Sequence, residues 1–129
     1  MSMRFFYALL RIDFILLMTK NNLMNQKETI KQFYTAFSNG NIDGMLACYH
    51  DDIVFEDPAF GKLSGNRAKA MWRMLLSKRE QSKLTISFEL DNQSDHETSW
   101  IASYLYGPKK RKVVNHVRAS FLFKEGKIV

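Results

Sequence analysis

The sequence predicts an α+β fold: a strongly curved, cone-shaped antiparallel sheet with three helices on its concave face. Three observations lead there. Helical apolar spacing is confined to the region before residue 78, where one short alternating stretch, 52–58, interrupts it. From residue 84 onward, long alternating stretches follow one another with turn-sized gaps, as in an antiparallel meander. Each of the longer helical segments carries a broad apolar stripe that must be buried against another layer.

The chain has 129 residues, 46% of them hydrophobic and 13% aromatic, enough for one domain with a single core and too apolar for disorder. Its one cysteine, Cys48, excludes an internal disulfide and any Cys/His metal spacing, and is expected to be a buried packing thiol. No metal site and no cofactor are expected.

Residues 1–23 contain the apolar runs Phe5–Leu10 and Phe14–Met18, interrupted by Arg11 and Asp13. Neither run is long enough for a signal h-region or a membrane span, and no small-residue cleavage site follows. This segment is read as an extension outside a domain spanning 24–129, with a short membrane-surface or partner-binding helix as the alternative. Without a span or signal, stable membrane insertion is not expected and the cytoplasm is the expected location.

In the domain, Ile30, Phe33, Tyr34 and Phe37 fall on one helical face, which the stretch Ser38–Asn41 terminates. Ile42, Met45, Leu46 and Tyr49 define a second, short helix. Residues 52–58 read as a strand with Ile53, Phe55 and Asp57 on one face and Val54 and Glu56 on the other, ended by Pro58. Residues 59–65 read as a loop, with Ser64 capping a third helix whose stripe is Ala68, Met71, Trp72, Leu75 and Leu76.

Three strands follow. One face of the first carries Leu84, Ile86, Phe88 and Leu90, and one face of the second carries Trp100, Ala102, Tyr104 and Tyr106. The third sets Val113, Asn115, Val117, Ala119, Phe121 and Phe123 inward, against Val114, His116, Arg118 and Ser120 outward. The formal charge is +6, of which residues 1–23 hold +2. The most basic run, Lys109–Lys112, follows Gly107-Pro108 and reads as a solvated hairpin tip. No interleaved aromatic and basic pattern points to nucleic acid, which is not expected as a partner.

Helices over a curved sheet leave a conical, mostly apolar interior suited to a small molecule. The run FYTAFSNGNIDGMLACYHDDIVFEDPAFGKLSG, Phe33–Gly65, together with the late V-N-V-A-F-F--GKI pattern, resembles the nuclear transport factor 2-like superfamily, and most closely its SnoaL-like and ketosteroid isomerase-related branch. The resemblance covers roughly 24–129. It implies a cone fold, often dimeric, with a deep apolar pocket. It also implies one further strand past the last Gly-Lys-Ile turn, so the C-terminal strand reads as truncated and its open edge as covered by a second copy, a homodimer.

The resemblance places the isomerase branch's catalytic base at Asp57. It places that branch's oxyanion donors, a Tyr and a protonated Asp, at Phe33 and Ala119, neither of which can donate a hydrogen bond. Ketosteroid isomerase depends on that pair of donors, so a typical ketosteroid isomerase is not expected. The site reading therefore has Asp57 as general base and Asn115 as donor. Phe33, Phe37, Phe55, Trp72, Trp100, Tyr104, Val117, Ala119 and Phe121 line the pocket for a small hydrophobic molecule. The activity implied is a cofactor-independent isomerase, cyclase or hydrolase; the alternative is a non-catalytic hydrophobic-ligand or dimerisation module. Asp57 could also serve only the turn before Pro58. His116 reads as an outward or interface residue, and His50 as a cation at a helix C-terminus.

Overall fold

The computed structural model describes residues 26–91 and 93–129; the expected extension, 1–23, lies outside them. Helix α1 runs through residues 26–38. It buries Ile30, Phe33, Tyr34 and Phe37, the face expected from their spacing. Its end is a Schellman motif: Asn41 N–H donates to Ala36 C=O (2.8 Å) and Gly40 N–H to Phe37 C=O (3.1 Å), with Gly40 at φ +70°. The last carbonyls, of Ser38 and Asn39, accept from the Arg79 guanidinium at 2.8 and 3.0 Å.

Helix α2 (Ile42–Ala47) starts at Asn41, whose side chain accepts from Gly44 N–H at 3.0 Å. Cys48 is buried behind it, as expected. Strand β1 (Val54–Asp57) alternates exposed Val54 and Glu56 with half-buried Phe55 and Asp57.

The stretch read as a loop is a strand. β2 (Gly61–Ser64) pairs antiparallel with β1, from Val54↔Ser64 to Asp57↔Gly61. Gly65, at φ +52°, takes the cap position of α3 (Asn66–Ser77) with no side-chain cap bond, so Ser64 is a strand residue and not the cap. The cause is backbone accounting: β1 needs a partner for its N–H and C=O groups, and a turn at Asp57–Phe60 folds the next four residues onto it. A one-turn helix, α4 (Arg79–Ser82), follows α3 where the sequence suggested only a helix end.

Strands β3 (Thr85–Leu90), β4 (Glu97–Tyr106) and β5 (Arg111–Ser120) form an antiparallel meander in that order. The register sets Phe88, Trp100 and Val117 in one row and Ile86, Ala102 and Asn115 in the next. A closing hairpin, β6 (Phe123–Lys124) and β7 (Lys127–Ile128), is tied back to the α2–β1 connection. His50 N–H donates to Ile128 C=O (2.7 Å), Ile128 N–H donates to Cys48 C=O (2.9 Å), and the Ile128 side chain is buried.

The helices and the antiparallel sheets thus enclose one apolar core, the expected α+β arrangement. Among the described residues no helix is long and apolar enough to cross a membrane.

Candidate functional site

The interior is built on rings. Phe33, 2% exposed, stacks on Tyr49 at 5.2 Å and meets Trp72 edge-on at 6.0 Å. Phe37 meets Trp72 at 5.1 Å and Trp100 at 5.4 Å, and Phe55 reaches Trp72 at 5.4 Å from β1. Phe121 closes on Phe33 and Tyr34 at 6.4 and 6.0 Å. Six residues expected to line the interior, Phe33, Phe37, Phe55, Trp72, Trp100 and Phe121, are therefore in one contiguous cluster. Val117 lies opposite Trp100 on β5, and Ala119 lies opposite Thr98.

Three members escaped the sequence reading of the site: Tyr34, Tyr49 and Phe88. Tyr34 stacks on Phe88 at 5.4 Å. Tyr49 accepts a buried hydrogen bond from Trp72 Nε1 at 2.8 Å. Burial pushes both phenols above the ordinary tyrosine value; for Tyr34 the neighbouring Tyr49 adds to this, and for Tyr49 the Trp72 bond partly opposes it. Both rings therefore stay neutral. Helical spacing had marked Tyr34 and Tyr49 as core, and only their hydroxyls could have signalled a polar role.

Asp57 lies on the same face of β1 as Ile53 and Phe55. Its Oδ1 accepts from Phe60 N–H at 2.6 Å, closing the turn into β2. Asp57 thus serves the turn before β2, and this role employs one carboxylate oxygen.

Asn115 is on the β5 face that carries Val117, yet it is exposed, one row beyond the ring cluster. Its Nδ2 donates to the Tyr104 hydroxyl at 3.0 Å, joining two of the expected site residues diagonally across β4 and β5. The Tyr104 oxygen, accepting here, retains its own O–H to donate. Asp57 and Asn115 have different hydrogen-bond partners and are not bonded to one another.

Two of the three histidines, His116 and His50, fall differently. His116 is exposed on the outward face, as alternation indicated. His50 follows the end of α2; its Nδ1 accepts from Asp52 N–H at 3.0 Å, and its ring nitrogens lie 3.7 and 3.6 Å from the Asp52 and Glu125 carboxylates. A polar groove of about 450 Å³ lies outside the cluster, lined by Glu28, Lys31, Gln32, Thr35, Asn39 and Asn41 and by none of the expected site residues. Among the described residues no group of three or more His, Cys, Asp and Glu side chains could hold a metal ion.

Curved antiparallel strands closed by helices around an aromatic interior define the nuclear transport factor 2-like class of α+β proteins. Within that class the chain belongs to the SnoaL-like domain family, whose sequence pattern matches residues 30–129. Three solved structures show the same fold at low identity. Bal32a, from a soil-derived mobile gene cassette, superposes with a TM-score of 0.66 at 15% identity, covering 83% of this chain and 86% of its own. The M. tuberculosis LEH-like epoxide hydrolase gives 0.62 at 20% identity, covering 81% and 77%. SalBIII, an epoxide hydrolase/cyclase-like enzyme of pyran ring formation in the polyether salinomycin, gives 0.62 at 19% identity, covering 81% and 85%. No curated protein matches the chain.

Proposed function

We propose that the protein binds a small, largely apolar molecule against the ring cluster and acts on it without a cofactor, Asp57 serving as general base. The reaction type is isomerisation, cyclisation or hydrolysis, in keeping with the epoxide hydrolase and cyclase-like structural neighbours. One observation carries the reading: Asp57 is half-buried on the face of β1 that holds Phe55 against Trp72, and its turn bond employs only Oδ1. The second oxygen is left to take a proton from a substrate lying against the rings. The Tyr104 O–H, with its oxygen held by Asn115, is the donor for negative charge developing on that substrate. With Phe33 and Ala119 at the isomerase branch's donor positions, steroid isomerisation is not the proposed reaction.

The test separates the two roles of Asp57. In Asp57→Asn the amide oxygen can still accept from Phe60, so the melting temperature stays at the parent value while turnover of any accepted epoxide, lactone or enolisable ketone falls at least about a hundredfold. Unchanged turnover in that variant would rule out the base assignment.

A second reading, a ligand-binding cone without chemistry, is favoured by the Phe60 bond on Asp57 and by the exposure of Asn115. In that case apolar ligands raise the melting temperature of the parent and of Asp57→Asn equally and are recovered intact. A cytoplasmic homodimer remains part of the proposal. Its interface would be the outward sheet face around Ile101, Val114 and His116, and sedimentation of a Val114→Lys variant as a monomer would support it.

A further inference from the structure

The domain's charge is concentrated at one point. Removing Arg4, Arg11 and Lys20 from the nineteen cations and Asp13 from the thirteen anions leaves sixteen against twelve in residues 24–129, a net of +4. Lys109, Lys110, Arg111 and Lys112 alone carry +4, so the remainder of the domain balances, twelve against twelve.

These four residues form the tip of the long β4–β5 hairpin. Lys110 N–H donates to Gly107 C=O at 3.0 Å around Pro108, and Lys110 itself sits at φ +51°, where Gly or Asn would be less strained. Every residue from Tyr106 to Lys112 is exposed, Tyr106 at 64%. Among the described residues no carboxylate pairs with any of the four. Three cations elsewhere have carboxylate partners: Lys69 with Asp51, Lys124 with Asp52, and Arg118 with Asp91 and Glu97. Four adjacent, mutually repelling cations and a lysine in a left-handed turn break local rules without compensation inside the fold. Departures of this kind are expected at functional surfaces.

We infer that this hairpin tip docks the protein onto an anionic lipid surface. A projecting point of four cations suits a plane of headgroups, and polybasic clusters of this size are drawn to acidic leaflets. Tyr106, opposite Arg111 in the register, adds an exposed amphipathic ring of the kind that sits at headgroup level. A nucleic-acid strand would need cations continuing along a track, and the balanced remainder of the domain gives no net charge for one. The inference is independent of any chemistry at Asp57.

The test is co-sedimentation of the full chain with vesicles of phosphatidylcholine alone and of an equimolar mixture with phosphatidylserine. Binding is expected only to the mixture and should weaken as salt is raised. Each cation near an acidic leaflet contributes about fivefold, so Lys109→Gln with Lys110→Gln lowers the partition coefficient about 25-fold at an unchanged melting temperature. Lys109→Arg with Lys110→Arg retains it. Three results would overturn the inference: no binding to the mixed vesicles, equal binding by the glutamine variant, or tighter binding to a single-stranded oligonucleotide than to vesicles at the same salt.

Discussion

The indole N–H of Trp72 donates to the hydroxyl of Tyr49 at 2.8 Å, inside a cluster where Phe33 lies flat against the same tyrosine ring. This bond links α3 to the end of α2 and is the one polar tie that the described residues show within the aromatic interior. Tyr49→Phe keeps the stack but leaves a buried indole N–H without its acceptor, which costs about 1–3 kcal/mol. Urea unfolding should show a lower midpoint at unchanged slope, since the exposed surface is the same.

The end of α1 depends on a glycine and an arginine acting together. A Cβ at Gly40 would overlap the Arg79 guanidinium, and residue 40 sits in the left-handed region. Gly40→Ala therefore carries two costs, about 1–2 kcal/mol of backbone strain and displacement of Arg79 from the Ser38 and Asn39 carbonyls. In an Arg79→Ala background only the backbone part should remain. The double-mutant cycle should therefore show the two substitutions costing less together than the sum of the singles.

What the sequence shows of this molecule depends on how local each feature is. The faces of α1, α3, β4 and β5 follow from period alone, and the ring cluster of Phe33, Phe37, Trp72 and Trp100 follows from those faces. Phe121 joins it from beyond β5, because the strand read through Phe123 breaks after Ser120 and resumes as β6 in another sheet. Strand β2 did not, because four residues beginning at Gly61 hold too little alternation to register beside a proline and a glycine. The Asn115–Tyr104 bond needs the cross-strand register, which sets Asn115 opposite Ala102 and one diagonal step from Tyr104. Sequence fixes neither the register nor the extent of cover over the sheet, so an inward-facing amide that remains exposed was not legible. The contact of His50 with Asp52 N–H was not legible for a related reason: it depends on how the chain turns after α2.

Acid should weaken the closing hairpin. Lys124 donates to Asp52 Oδ2 at 2.9 Å, and this bond and charge, with His50 nearby, hold the Asp52 carboxyl below the usual aspartate range. A folded-state value below the unfolded one stabilises at pH above the unfolded value, and the stabilisation is lost as pH falls through the folded value. The parent should therefore lose stability more steeply than Lys124→Met between about pH 5 and pH 2. The two curves should converge at high salt, because the pair is exposed. Parallel curves at low salt would show that the pair does not couple β6 to the α2–β1 connection.

Cys48 should report the opening of that same connection. Its thiol is buried behind α2, and burial raises its pKa, a shift only partly offset by Lys127. A raised value means less thiolate at neutral pH, and the thiolate is the reactive form. A disulfide reagent such as Ellman's should therefore label native protein far more slowly than unfolded chain, at a rate set by local opening. Ile128 N–H donates to the Cys48 carbonyl at 2.9 Å and its side chain is buried. Ile128→Ala should therefore accelerate labelling, by about thirtyfold or more if the cavity costs upward of 2 kcal/mol. An unaltered rate would mean that the hairpin and the thiol open independently.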